Sequence, residues 1–306
     1  MMIHRHGNLS AEPFQDFVLD GFRGGMKTQA LLFAIFLALY VVTVTGNLAM
    51  ITVLTLDARL HSPMYFFLKN LSFLDLCYSS FITPDTLANL FSSSKVITFA
   101  GCATQFFFRS VFATTETFLL SVMAYDRFMA ICTPLQYPST MSPTTCTTLV
   151  LGCYCAGCLN SMVHTSLTFQ LPFSKHINDV FCDVFPLLQI ACLVMFGICG
   201  LIVVGTTPVV LISYGYITVT ILKMRSGSRG YKFFSTCGSH LTAVFLFYGT
   251  LLVMYVQPGA VESMEQGKII SIFYTLVIPM LNPLIYSLQN KDVKNTLQSP
   301  EKKGGR

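Results

Sequence analysis

Seven long apolar runs, separated by short polar connections, constrain the fold of this chain more than any other feature. Each is near the roughly 20 residues that an α-helix needs to cross a bilayer. Charged residues make up only 11% of the chain, against about 25% in soluble domains. The pattern predicts an all-α membrane protein, a seven-transmembrane-helix bundle. The runs are 31–54, 64–87, 103–130, 145–167, 193–222, 233–256 and 269–288, of which the second and third are amphipathic.

Lysine and arginine are distributed unevenly between the two sides of such a bundle. Twelve of the 19 fall in connections on one side and six on the other. Positively charged connections mark the cytoplasmic side of a membrane protein. We therefore expect an extracellular N-terminal segment (1–28), a transmembrane domain (29–290) and a short cytoplasmic tail (291–306). The sequon Asn8-Leu9-Ser10 would then be open to N-glycosylation.

The third run is apolar enough to span a bilayer but carries charged side chains. At about 100° per residue, Arg109, Glu116 and Arg127 lie within roughly 20° of one line along a helix. Each such charge in lipid would cost at least about 2.5–3.5 kcal/mol, so the stripe must face protein or a water-filled cavity. The third helix is predicted to be the central strut of the bundle.

Cys102, at the outer end of the third helix, is predicted to form a disulfide. The expected topology places it on the same oxidising side as Cys182, so these two thiols can pair. A bridge closing a loop of about 80 residues would be worth roughly 4–5 kcal/mol in the chain-entropy model. It would also hold the longest outer loop over the bundle.

Four ordered segments, spread over nearly the whole chain, resemble the signature segments of vertebrate odorant receptors. These rhodopsin-like, seven-helix G-protein-coupled receptors bind odorants and activate G proteins. Loop length and sequence resemble the tetrapod-type (class II) members. The segments are PMYFFLKNLSFLDLCYSS, MAYDRFMAICTPLQY, KFFSTCGSHL and PMLNPLIYSLQNKDVK.

The resemblance implies a G-protein switch at the cytoplasmic end of the third helix. Asp126 would hold Arg127 at rest, and activation would free the guanidinium, which can exchange one multidentate partner set for another. Tyr214 and Tyr286 would then approach Arg127. The alternative is an arginine that only anchors a helix end. His240 is a further candidate, although a lone buried histidine is more often a hydrogen-bonded core residue.

Two carboxylates, Asp75 and Glu116, are expected at mid-membrane depth, with Asn282 nearby by family geometry. Two buried carboxylates need a cation, a shared proton or water. A sodium- or proton-linked polar hub is the functional interpretation, and a structural hydrogen-bonded network is the alternative. Pro283, inside the last apolar run, predicts a kink that can act as a hinge.

The odorant pocket is expected in the outer half of the bundle, between the third, fifth, sixth and seventh helices. Arg109 lies about 10 Å below Cys102 along the third helix. The pocket would be mostly apolar with a few hydroxyls, as small-molecule sites usually are. The candidate ligand-binding residues are Arg109, Ser110, Ala113, Thr114, Tyr248, Leu252, Tyr255 and Thr275.

Arg109 departs from the family, which typically has an uncharged residue there. It could pair with a loop acid such as Asp179, Asp183 or Glu262. It could instead bind an anionic odorant such as a carboxylic acid, or mark a poorly functional receptor. Ser174 and Gln289 are further departures, which predict a looser outer loop and leave coupling strength open.

The expected partners are a small-molecule odorant, membrane lipid and a heterotrimeric G protein of the stimulatory olfactory type, with cAMP signalling from the plasma membrane. A non-olfactory chemosensory receptor is the nearest alternative. A transporter or channel would need inverted repeats or a continuous polar pathway, and the sequence has neither. We expect no enzymatic activity, cofactor, metal site or nucleic-acid partner, because no nucleophile–base set, phosphate-binding glycine loop or basic face is evident.

Overall fold

The computed structural model describes residues 17–19, 25–91, 96–170, 176–177, 189–223, 227–256 and 272–289. These ranges are almost entirely helical, and every predicted apolar run lies within a helix wherever it is described. A 3₁₀ turn at Ala58–Leu60 and a π-helical turn at Phe273–Val277 complete the helical elements. The α-helices are α1 (Met26–Leu56), α2 (Pro63–Leu90), α3 (Phe99–Cys132), α4 (Tyr137–Thr140), α5 (Pro143–Phe169), α6 (Gln189–Lys223), α7 (Gly227–Val256) and α8 (Ile278–Gln289).

Local signals in the sequence explain where several helices begin. Pro63 and Pro143 occupy the first turns of α2 and α5, where a missing N–H costs nothing and φ is already helical. Ser142 caps α5, its Oγ accepting a hydrogen bond of 3.2 Å from the Thr145 amide. Thr98 caps α3 in the same way, 3.1 Å from the Gly101 amide.

Four of the described helices are long and apolar enough to cross a membrane: Met26–Leu56, Phe99–Cys132, Pro143–Phe169 and Gly200–Lys223. Shorter apolar helices occupy Cys237–Leu251 and Thr275–Tyr286. Large apolar side chains such as Leu151 and Leu211 are exposed on the outside of the bundle. Such a surface suits hydrocarbon rather than water.

The third helix is the strut of the bundle, as the charged stripe predicted. In its most apolar 18-residue window 61% of the residues are buried, against 17–28% in the other three candidate spans. It packs most extensively against α5 and α6, and also contacts α2 and α7. Arg109 and Glu116 are both buried, so neither end of this part of the stripe faces lipid.

α3 and α5 approach each other closely at Gly157. A Cβ added there would lie 2.3 Å from the Thr115 Oγ1 and 2.9 Å from the Val111 carbonyl oxygen. The Thr115 hydroxyl is itself bonded to that carbonyl at 2.7 Å. The absence of a side chain therefore sets the separation of the two helices.

α1 and α8 are joined by a buried asparagine that stands alone in an apolar run. The Asn47 Nδ2 donates to the Pro279 carbonyl oxygen at 3.1 Å and to the Thr43 carbonyl oxygen at 2.9 Å. Gly46 lies beside Pro283, whose Cγ would be 3.2 Å from an added Cβ. The helix α8, which contains Pro283, is thus held against α1 by a polar contact and a close apolar one.

A small sheet, which the sequence analysis did not predict, gathers three segments at one end of the bundle. β1 (Phe17–Leu19) pairs antiparallel with β2 (Val96–Ile97) and parallel with β3 (His176–Ile177). The segment before α1, the α2–α3 connection and the α5–α6 connection therefore meet beside the start of α3.

Candidate ligand and switch sites

The α3 residues predicted to bind ligand occupy one stretch of that helix. Arg109 is 5% exposed and has an interaction partner within the protein. Ser110 and Ala113 are half-buried. Thr114 is buried, and its Oγ1 accepts a hydrogen bond of 2.9 Å from the Asn160 Nδ2 of α5.

The other predicted ligand residues are described unevenly. Thr275 is fully buried within the π-helical turn. Leu252 and Tyr255 lie on the α7 backbone, but their side chains are outside the described residues, as are the acids proposed for Arg109. The glycosylation candidate Asn8 lies outside them too.

Tyr248 links α7 to α3. Its hydroxyl lies 3.1 Å from the Ser121 Oγ and donates to the Thr117 carbonyl oxygen at 3.3 Å. The Thr206 side chain of α6 also interacts with this hydroxyl. Tyr248 therefore meets α3 about 12–18 Å further along the helix than Arg109, given 1.5 Å per residue.

The structure places the three residues of the predicted polar hub together. The Asn282 Nδ2 donates to the Asp75 Oδ2 at 2.9 Å, and the Asn282 side chain also interacts with Glu116. All three residues are at most 4% exposed. Among the described residues, the second Asp75 oxygen and the Glu116 Oε1 have no hydrogen-bond partner, so the hub has capacity for a proton, a cation or water.

Asp126 holds two partners at the end of α3. Its Oδ2 lies 3.3 Å from the Arg127 Nη2, and its Oδ1 accepts from the Tyr137 hydroxyl at 2.9 Å. The carboxylate is fully buried, whereas the Arg127 side chain is 14% exposed. Burial, with the Asp126 charge next, raises the pKa of Tyr137, so the phenol remains a donor at physiological pH.

Tyr214 of α6 and His240 of α7 form a contact between these two helices. The Tyr214 hydroxyl is hydrogen-bonded to the His240 Nδ1, and the two rings stack with centroids 5.7 Å apart. Both residues are buried, as is Tyr286. Arg127 lies within electrostatic range of Tyr214 and of Tyr286.

Cys102 is disulfide-bonded and fully buried. Its predicted partner, Cys182, lies outside the described residues, so that pairing remains a prediction. In the described part of the chain, no group of three or more His, Cys, Asp or Glu residues could hold a metal ion.

Several residues that make the contacts described above were not predicted from the sequence, among them Asn47, Ser121, Tyr137 and Asn160. A lone asparagine in an apolar run was a usable signal for Asn47 and Asn160, because an unpaired amide is costly in a bilayer. Ser121 and Tyr137 gave no signal, since a serine in a helix and a tyrosine in a connection are both ordinary.

The described chain has seven long helical segments, counting the π-helical turn with α8. Buried polar side chains, among them Arg109, Glu116 and Asp126, follow the length of α3. This is the architecture of the seven-transmembrane-helix receptors. The model of the family "Olfactory receptor" matches residues 36–300. Mouse olfactory receptor 9S13 is 72% identical over 97% of this chain and 92% of its own length. Human olfactory receptor OR9H1 is 55% identical over 92% of this chain and 95% of its own length.

The chain belongs to the olfactory receptor family. It is a rhodopsin-like G-protein-coupled receptor with an odorant ligand and a G-protein partner, and a multi-pass protein of the plasma membrane. The resemblance found in the sequence is thereby confirmed.

Proposed function

We propose that an odorant binds in the outer half of the bundle and shifts a resting–active equilibrium that admits a stimulatory olfactory G protein, with cAMP as the output. One observation carries this proposal. A single helix, α7, contacts α3 at Tyr248, near the predicted ligand residues, and contacts α6 at His240, near Arg127. The two contacts are eight residues, or about 12 Å, apart.

The equilibrium needs contacts that differ between its two states. In the structure Arg127 faces Asp126, and Tyr214 is bonded to His240. We assign these contacts to the resting state. Outward movement of α7 would break the second contact and release the Tyr214 hydroxyl toward Arg127, which would then be free to meet the G protein.

Along α3, the polar hub at Glu116 lies between the predicted ligand residues 109–114 and Arg127, and would couple the two. Asn282 belongs to α8, Asp75 to α2 and Glu116 to α3, so a change of proton or cation at the hub would reach three helices. The hydrogen bond from Asn282 and the unpaired oxygens support this role. A static structural network is the alternative.

The receptor proposal predicts that Arg127→Ala abolishes odorant-dependent cAMP production. The guanidinium is the group that would contact the G protein, and alanine has no charge or donor. The measurement is a cAMP-response assay over an odorant panel, with surface expression quantified on the same cells. A panel that activates wild type and Arg127→Ala equally would contradict the G-protein switch, and solute uptake without cAMP would favour a transporter.

We also propose that Arg109 gives the outer pocket a preference for carboxylic acids, its internal partner being exchanged for the odorant carboxylate. Arg109→Gln should then weaken carboxylic-acid responses by about 10- to 100-fold, the value of a charge-assisted hydrogen bond, and spare alcohols. Dose–response curves for matched acid and alcohol pairs would measure this. Arg109→Lys, which keeps the charge, should retain part of the acid preference.

Intact acid responses in Arg109→Gln at unchanged surface expression would show that the charge serves an internal pair instead. Equal loss of acid and alcohol responses would indicate that Arg109 supports the fold. Neither outcome touches the Arg127 result, so ligand preference and G-protein coupling are tested separately.

A further inference from the structure

A crevice on the outside of the bundle lies between α3, α5 and α6. Its volume is about 670 Å³, which is within the usual range for small-molecule sites. Its walls are mostly apolar, with Phe118 and Val122 from α3, Ala156 from α5, and Leu201 and Val209 from α6. Leu201 is 73% exposed, so the crevice opens toward the lipid.

A few polar side chains interrupt the apolar wall. Asn160, Ser121 and Thr206 all line the crevice. The Asn160 Nδ2 is used by Thr114, and among the described residues no donor is bonded to the Asn160 carbonyl oxygen. Asn160 lies about 25 Å along α5 from Pro143, within the hydrocarbon, where an unpaired amide oxygen is unfavourable.

The crevice is also connected to the contacts that the proposed mechanism uses. Ser121 and Thr206 both interact with the Tyr248 hydroxyl, and Asn160 holds Thr114. A molecule in the crevice would therefore contact residues of the α3–α7 link from the lipid side, outside the predicted pocket at Arg109.

We propose that this crevice is a second ligand site, reached through the bilayer, for a lipid-soluble molecule with one hydroxyl group. The hydroxyl donates to the Asn160 carbonyl oxygen and the hydrocarbon part lies against the α3 and α6 walls. A phospholipid chain alone fits the apolar walls but leaves the amide oxygen unpaired. By its contacts with Ser121 and Thr206, the occupant changes the strength of the Tyr248 link and hence the response to odorant.

Gly205 is a position at which a larger side chain can fill the crevice. It stands on the α6 wall, and a Cβ added there would have no heavy atom within 4 Å. Gly205→Leu therefore fills the crevice without a backbone collision. Gly152 of α5 also has open space around an added Cβ and is not among the lining residues, so Gly152→Leu is the matched control.

The test uses full-length receptor in nanodiscs with two photoreactive probes, a diazirine-bearing decanol and the corresponding decane. Labelled peptides are mapped by mass spectrometry. We expect the decanol probe to label segment 201–209, and excess 1-decanol to reduce that labelling at least fivefold. Gly205→Leu should reduce it by a similar factor, and Gly152→Leu should leave it unchanged. Asn160→Leu should make the alcohol and alkane probes label equally, because the loss of one hydrogen bond is worth about fivefold in affinity.

Undiminished labelling in Gly205→Leu, at a Tm equal to that of wild type, would overturn the proposal. Equal labelling of wild type by the decane and decanol probes would overturn it too, since lipid chains then account for the crevice. If Gly205→Leu fails to fold, Val209→Phe narrows the same wall and must give the same loss of labelling.

Discussion

Replacing Gly157 by alanine is expected to lower the thermal stability of the receptor sharply. The added Cβ would lie 2.3 Å from the Thr115 Oγ1 and 2.9 Å from the Val111 carbonyl oxygen, so α5 must move away from α3. Overpacking of this kind typically costs about 1–3 kcal/mol. The Tm of purified receptor in detergent, together with the fraction of receptor at the cell surface, would measure the effect.

The chain offers a matched control on the same helix. Gly152→Ala adds the same methyl group where no heavy atom lies within 4 Å, and its Tm should stay at or slightly above that of wild type. A double variant, Gly157→Ala with Thr115→Ala, should recover part of the loss because the nearer atom is gone. An unchanged Tm in Gly157→Ala would mean that the helices are not as close as described.

Replacing His240 by leucine is expected to raise basal cAMP about fivefold without added odorant. The substitution removes the hydrogen bond to Tyr214, worth about 1 kcal/mol, and leaves the Tyr214 hydroxyl free for Arg127. A change of that size shifts a two-state equilibrium about fivefold toward the active state. Basal cAMP, normalised to surface receptor, is the measurement.

Tyr214→Phe distinguishes the resting-state hydrogen bond to His240 from the role of the Tyr214 hydroxyl in the active state. It breaks the same hydrogen bond but also removes the hydroxyl that the active state would use, so basal cAMP should not rise. Ser239→Ala, next to His240 and equally buried, controls for general disturbance of α7. A rise in both His240→Leu and Tyr214→Phe would indicate that Tyr214 has no part in the active state. If basal cAMP does not rise in His240→Leu, the Tyr214–His240 contact does not stabilise the resting state.

The helices were predictable because hydropathy is a local property of the sequence. The last run was predicted with a proline kink at Pro283, and Pro283 indeed lies inside α8. The β2–β1–β3 sheet was not predictable, since strands of two or three residues contain too few positions for an alternating pattern. Nor was the π-helical turn, because an α-helix and a π-turn have the same apolar composition.

Some contacts of the candidate sites were predictable from the sequence and others were not. The Asp75–Asn282 contact followed from the resemblance, and the burial of Arg109 and Glu116 followed from helical arithmetic. The Ser121–Tyr248 bond joins residues 127 positions apart, and no local pattern fixes how α3 and α7 align. Tyr137 was missed for a similar reason, since its partner Asp126 is set by how the connection folds back after α3.

The π-helical turn at Phe273–Val277 has a consequence for how this segment can tolerate change. Such a turn accommodates one residue more than the α-helix it interrupts. Thr275 stands within it, while Asn282 and Tyr286 stand on α8 beyond it. Removing one residue here would convert the turn to α-helix, and because the wider turn holds that extra residue over the same rotation, the residues on either side would keep nearly the same faces. A single-codon deletion within this turn should therefore leave Asn282 and Tyr286 facing their present neighbours, and should change only which side chains of the turn itself, Thr275 among them, face the bundle.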